Sequence, residues 1–271
     1  MAVLSSAAAW SGGGGPVSLG TTAIIGAASG LGRLWAQRLQ HAGHPLVLAD
    51  RDANSLAALA GPNQRIQSCD ITVEDDVVAL FDAIEGPLAQ VVLTAAIMPT
   101  QLVLDDDPAR IRQVMETNYF GALNVLRAAV PRMMAQGYGE VVVFGSVAGE
   151  VPTPHMSAYS ASKAALAMYV EVLQMELELA NSPVEVRLVL PPMTDTPLLE
   201  QARTTSNPRS FEVGLKQGIV AKPADVVDRA MRAVARGRRL IYPHKMARAL
   251  HLARRFIPRL LAYAVMKSEQ E

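Results

Sequence analysis

Apolar and polar positions alternate along this chain in short runs and longer periodic stretches from residue 20 to about 242. Thr21-Thr22-Ala23-Ile24-Ile25 is a compact apolar run stopped by a glycine, the pattern of a buried strand. Residues 45–49 read as a second strand, 65–69 as a shorter third and 91–96 as a fourth, whose apolar run fits a strand covered on both faces. Residues 140–145, 184–190 and 238–242 give three more. Helical patterns lie between them. One runs from Gly32 through Leu34, Trp35, Arg38 and Leu39, and one covers 52–59. Another starts at Thr72, as N-cap, and reaches about Ile84, where Gly86-Pro87 stops it. A long one opens at Asp107-Pro108, with the proline at the first helical position, and Pro131 marks its expected end. Residues 159–179 and 223–236 complete the set. Strands alternating with helices predict an α/β fold with a doubly wound parallel sheet and helices on both faces.

Three stretches stand outside that alternation. Residues 1–18, with Ala7-Ala8-Ala9 and Gly12-Gly13-Gly14-Gly15, lack a basic start and read as a flexible tail rather than a secretion signal. Residues 193–221 read as a polar, irregular loop or lid within a domain spanning 19–243. Residues 244–271 form a basic amphipathic extension with Leu250, Leu252, Phe256, Ile257, Leu260, Leu261 and Val265 as its apolar set, which Pro258 divides into two helices.

Composition narrows the classes. Half of the 271 residues are hydrophobic, enough for a large aliphatic core, and the formal charge of zero gives no general attraction to nucleic acid. The single cysteine, Cys69, excludes an internal disulfide and fits a reducing, cytoplasmic setting. No run of eighteen apolar residues predicts a spanning helix, and no ligand set for a metal stands out. Charge is uneven: residues 229–268 hold eleven Lys or Arg and no Asp or Glu.

Ligands of parallel sheets bind beyond the carboxyl ends of the strands. Gly26, Asp50, Asp70, Ala95, Ser146 and Pro191 all fall at such ends. Gly26-Ala27-Ala28-Ser29-Gly30-Leu31-Gly32 joins a strand to a helix; glycines let backbone approach a pyrophosphate, and the helix N-terminus offers free amides. A tight structural turn is the plainer reading. Asp50, 24 residues after Gly26, can accept hydrogen bonds from ribose hydroxyls and repel a 2′-phosphate, which favours NAD over NADP; Arg51 offsets part of that repulsion. Asp50 could instead cap the helix over 52–59. Tyr159 and Lys163, four apart, share a helix face, where an ammonium would favour the phenolate and make Tyr159 a general acid/base. That spacing is weak evidence alone and gains weight from the strand-end residues around it.

Over residues 20–243 the sequence resembles the short-chain dehydrogenase/reductase family. The resemblance rests on Gly26-x-x-x-Gly30-x-Gly32, Asp70, Asn118 with Gly121, Ser146, Tyr159-x-x-x-Lys163, thirteen residues on from Ser146, and Pro191 with Thr196. It implies one Rossmann-type domain of about seven strands, a homodimer or homotetramer, and an alcohol dehydrogenase or ketoreductase using NAD by preference or NADP. It implies a catalytic tetrad: Tyr159 as proton donor, Ser146 orienting the substrate oxygen, Lys163 lowering the Tyr159 pKa and holding the nicotinamide ribose, and Asn118 anchoring a water relay. Ser29, Leu31, Ile71 and Met193 would join the glycines, Asp50, Arg51, Asp70, Ala95, Pro191 and Thr196 in holding the cofactor. Val151, Met156 and Leu198 would line an apolar substrate pocket, which suits a hydrophobic secondary alcohol or ketone. The sequence departs from the family with Ile25 before the first glycine, with Leu93-Thr94-Ala95-Ala96 after the fourth strand and with Pro191-Pro192 after the sixth. The first two predict an apolar substitute for the polar tie between strands one and four. The extension is expected to pack over the pocket or at a subunit interface; lying on an anionic membrane is the alternative, and would suit lipid-like substrates. A non-catalytic dinucleotide-binding relative is the remaining class.

Overall fold

The computed structural model describes residues 20–216 and 218–270, so the tail predicted at 1–18 lies outside them. Seven strands make one sheet: β1 (Thr21–Ile25), β2 (Leu46–Asp50), β3 (Gln64–Ser68), β4 (Leu88–Leu93), β5 (Gly139–Phe144), β6 (Val184–Val189) and β7 (Leu240–Ile241), in the order β3-β2-β1-β4-β5-β6-β7. Every pairing is parallel. The order reverses between β1 and β4, which opens a crevice at their carboxyl ends.

Alternating strand residues serve two helical layers. Ala23, Ile25, Val91, Leu93, Val141 and Val143 point to one side, against α3 (Glu74–Asp82), α5 (Gly121–Gln136) and α6 (Ser157–Leu179). Ile24, Leu46, Leu48, Val92 and Val142 point to the other, against α1 (Gly30–His41), α2 (Ala53–Ala57) and α9 (Pro223–Ala235). Trp35 of α1 is buried there, edge-on to Phe144 with ring centroids 5.8 Å apart.

Several boundaries differ from the sequence reading. The third helix begins at Glu74 with Val73 at its N-cap, because the Thr72 hydroxyl donates to Asp70 Oδ1 (2.8 Å) instead of capping. Pro131 does not end its helix. A proline in a helix interior costs about 3 kcal/mol, but Val125, Leu126, Ala129, Val130 and Met133 bury one face of α5, at roughly 1.5–3 kcal/mol for each large side chain. The helix therefore runs on to Gln136 and stops at Gly137, whose φ of 86° gives the left-handed turn. Upstream, α4 (Pro108–Met115), with Asp107 as its cap, joins α5 through a π-helical turn over Glu116–Phe120.

The stretch 193–221 is not irregular: it holds two short helices, α7 (Pro197–Thr205) and α8 (Arg209–Lys216). They are held by partners distant in sequence. Gln201 accepts from Met98 N (2.6 Å), the Thr100 hydroxyl donates to Ala202 O (2.6 Å), and Thr205 Oγ1 accepts from Thr100 N (2.8 Å).

The extension folds as α10 (Lys245–Phe256) and α11 (Pro258–Gln270), parted at Pro258. Tyr242 donates to Glu150 Oε1 (2.9 Å), and His251 Nδ1 lies 3.1 Å from both Glu150 oxygens. Glu269 accepts from Arg209 N (3.0 Å) and Ser210 N (3.1 Å), capping α8 from the far end of the chain. No described helix is long and apolar enough to cross a membrane.

Candidate functional site

A cavity of about 520 Å³ opens at the carboxyl ends of the strands, with the β1–α1 loop at one end and α7, α8 and α11 at the other. Gly26, Ser29, Gly30 and Leu31 form its floor, and Asp50, Arg51, Asp70, Ile71 and Ala95 continue the same wall. Gly26 and Gly30 have φ of 88° and 53°, conformations that favour glycine. Ser29 precedes α1 without spending its side chain on the first-turn amides, and no acidic residue stands in that turn. The helix start thus faces the cavity as a positive dipole end.

Asp50 does not cap a helix. Its Oδ2 accepts from Ala28 N (3.1 Å) and its Oδ1 from Asp52 N (3.1 Å), while Asp52 caps α2. The carboxylate therefore shapes the glycine loop from the end of β2, with exposed Arg51 beside it. Asp70 accepts from both the amide and the hydroxyl of Thr72. Ile71 packs over Gly121, where an added Cβ would come within 2.7 Å of it.

The apolar substitute predicted between strands one and four is not what the structure has. The Thr94 hydroxyl lies 3.0 Å from Ile25 O and 3.1 Å from Gly26 O, so a polar tie survives from a residue the sequence reading left without a role. Leu93 pairs in register with Ile25, which sets the next residue level with the loop carbonyls. A Thr94→Val protein keeps the shape and loses the donor. We expect about 1–3 kcal/mol of lost stability, read as a lower urea midpoint, with Thr94→Ser restoring it.

Beyond the loop, the four tetrad residues divide. Ser146, Tyr159 and Lys163 line the cavity; Asn118 and Gly32 stand one layer behind it. Ser146, at the end of β5, accepts from Ala148 N (3.1 Å) and hydrogen-bonds with Tyr159. Tyr159 and Lys163 are 5% and 2% exposed. Here the structure corrects the expected electrostatics. Burial pushes the Tyr159 phenol up to about 12, and the Ser146 hydrogen bond only partly opposes it. Lys163 does not depress it: Nζ donates to Phe144 O (3.0 Å), sits 5.9 Å from the Tyr159 ring centroid, and is itself brought down to about 8 by burial.

Asn118 is buried in the π turn, a distortion common at functional sites. Its Oδ1 accepts from Ile97 N (2.8 Å), and its Nδ2 donates to Ile97 O (2.9 Å) and Ser162 Oγ (3.1 Å). Ser162 in turn donates to Tyr159 O (2.7 Å), so Asn118 is linked to the helix that carries the phenol. Ser162 had one usable signal, its place three residues after Tyr159 on the same buried face.

Pro191, Met193 and Thr196 border the cavity after β6, and Val151, Met156 and Leu198 line its apolar end. That end also takes Met98 and Phe211, which the sequence left without a role, and Leu250 and Val265 of the extension. His155, left without a role, has a φ of 66° and hydrogen-bonds Ser206 (3.0 Å), joining its loop to the end of α7.

Comparison with known proteins fits this arrangement. The sequence model of the family described as short chain dehydrogenase matches residues 21–207. Dehydrogenase/reductase SDR family member 7B of Danio rerio is 29% identical over 226 residues, 78% of this chain and 72% of the relative. A short chain dehydrogenase from Burkholderia cenocepacia J2315, solved in complex with NADP, superposes with a TM-score of 0.77 at 27% identity over 91% of this chain and 97% of that one. A short chain dehydrogenase/reductase from Burkholderia phymatum, solved with NAD, shares the fold with a TM-score of 0.80 at 24% identity over 90% and 96%. With the glycine loop, the sheet order and the family match over residues 21–207 agreeing, the chain belongs to the short-chain dehydrogenase family of oxidoreductases.

Proposed function

We propose that this protein interconverts a hydrophobic secondary alcohol and its ketone with a nicotinamide dinucleotide, NAD by preference and NADP as a second choice, and that Tyr159 is its general acid/base. The observation that carries this reading is one cavity holding both the glycine loop and the hydrogen-bonded Ser146–Tyr159 pair, closed by apolar side chains. The residues fit such a cofactor. The Gly32 position admits no Cβ, which would meet Gly26 O at 2.2 Å, so the loop is built for close backbone approach.

In this reading the loop amides and the start of α1 would bind the pyrophosphate, and Asp50 would accept from the adenosine ribose. Asp70, Ile71 and Thr196, which line the same cavity, would help hold the cofactor. When bound, such a cofactor would supply or accept the hydride. Ser146 donates a hydrogen bond to the substrate oxygen and sets it beside the Tyr159 hydroxyl. Tyr159, protonated at neutral pH, delivers its proton to that oxygen in the reduction direction. Lys163, whose Nζ donates to Phe144 O, would hold the nicotinamide ribose, and Asn118 holds α6 and the loop after β4 in register. Val151, Met156, Leu198 and Phe211 exclude water and select an apolar substrate. The buried Cys69, its thiol pushed up to about 12 by burial, is unreactive and fits a cytoplasmic setting. Met168, Val172, Met175 and Leu179 form an exposed apolar stripe along α6, the surface on which we place the contact of a homodimer or homotetramer.

The test is turnover of a panel of hydrophobic ketones and alcohols with each cofactor. Wild type should bind NAD more tightly than NADP. Asp50→Ala should weaken NAD, lose the Ala28 contact that shapes the loop, and narrow or reverse the preference. A wild type preferring NADP would show that Arg51 dominates; no turnover with either cofactor would leave a non-catalytic dinucleotide-binding protein.

A further inference from the structure

We infer that the outer face of α10 and α11 is a docking surface for an anionic phospholipid bilayer. The helices are apolar on two sides. On the inner side Ala247 is buried, and Leu250, Val265 and Ser268 line the cavity. On the outer side Leu252 and Phe256, one turn apart on α10, are 43% and 71% exposed, and Leu260, Tyr263 and Met266 on α11 are 60%, 61% and 54% exposed. Covering the cavity requires one apolar face; the second is turned to solvent at a scale that marks an interaction site.

Charge identifies the occupant. Arg248, Arg254, Arg255 and Arg259 form no salt bridge among the described residues. The Arg255 guanidinium lies 5.9 Å from the Phe256 ring centroid, so cation and aromatic ring share one patch. Glu269, the described acidic residue of these helices, is turned inward onto the α8 amides. Arg248, one turn before Leu252, Arg255 against Phe256 and Arg259, one turn before Tyr263, share the outer face with these apolar side chains, and that combination matches the lipid headgroup boundary of an anionic leaflet. They do not match a second copy: a two-fold contact sets each patch against itself, and these arginines would face their own equivalents. Met168, Val172, Met175 and Leu179 on α6 are the better surface for self-association.

The full chain is spun with vesicles of phosphatidylcholine alone and with about a third phosphatidylserine, at low salt and at about 0.5 M salt. We expect at least ~10-fold more protein on the anionic vesicles at low salt, lost at high salt. Both the Arg248→Glu/Arg255→Glu/Arg259→Glu and the Phe256→Ser/Leu260→Ser/Tyr263→Ser proteins should stay in the supernatant. Their turnover of a water-soluble ketone should match wild type, since none of these side chains lines the cavity; single Phe256→Ser serves if a triple variant unfolds. Wild type that stays in the supernatant overturns the inference, as does sedimentation that neither variant changes. Light scattering showing that the Phe256→Ser/Leu260→Ser/Tyr263→Ser protein loses half its mass would assign the face to a second copy instead. Vesicle binding is read without turnover, so its failure is distinct from failure of the proposed activity.

Discussion

Tyr159→Phe should lower turnover by at least ~10²-fold, the scale of a positioned acid/base, while cofactor affinity should stay within about twofold. Phenylalanine keeps the ring in the apolar cluster with Met98, Met156 and Leu199 and removes only the hydroxyl that pairs with Ser146. Because burial holds the phenol near 12, Tyr159 is protonated throughout the neutral range, the state that donates a proton in ketone reduction. Alcohol oxidation needs the phenolate, so its rate in wild type should rise with pH. The slope should vanish in the variant. Stability shifts too, because the fold favours the protonated phenol relative to an ordinary value near ~10. That contribution is complete below pH ~10 and is lost as pH rises toward 12, so Tyr159→Phe removes this part of the alkaline unfolding. Rate against pH and melts in alkaline buffer check both. A Phe variant of normal turnover would remove Tyr159 from the mechanism.

Gly32→Ala should abolish measurable cofactor binding, weakening it by at least ~10²-fold, and cost about 1–3 kcal/mol of stability from overpacking. The new Cβ would meet Gly26 O at 2.2 Å and Thr94 Oγ1 at 2.4 Å, both fixed by the tie between β1 and β4. Helix α1 must then move off the sheet, which takes its first-turn amides from the cavity floor. Gly30→Ala is the informative contrast. Its Cβ would find Thr196 at an ordinary 3.6 Å, but its φ of 53° strains any side chain. It should lose stability by roughly 1–2 kcal/mol with a smaller loss of affinity. Cofactor titration beside thermal melts separates the two; equal affinities in Gly32→Ala and wild type would show that the loop does not hold the pyrophosphate.

Much of this protein can be read from local patterns. Apolar runs such as 22–25 and 141–144 mark strands because both faces of each are covered, and burial on both faces selects apolar side chains. Glycines at 26, 30 and 32 mark the loop because each position requires a particular φ or a missing Cβ. The strand-end placement of Asp50, Ser146 and Pro191 follows from where those runs stop, and Tyr159 with Lys163 follows from helical spacing.

What only the tertiary structure decided depends on partners far apart in the chain. The two helices at 197–216 form because Met98, Thr100 and Glu269 supply hydrogen bonds that no window around them contains. Thr94 became the tie between β1 and β4 through the register of the sheet. The Tyr159 proton is governed by burial, and the Lys163 ammonium by the Phe144 carbonyl nineteen residues away, neither of which follows from a spacing of four. The extension's apolar residues were legible as a set, but their division between a cavity wall and an outer face was not. Periodicity reports that a side chain will be covered; only the packed chain shows by what.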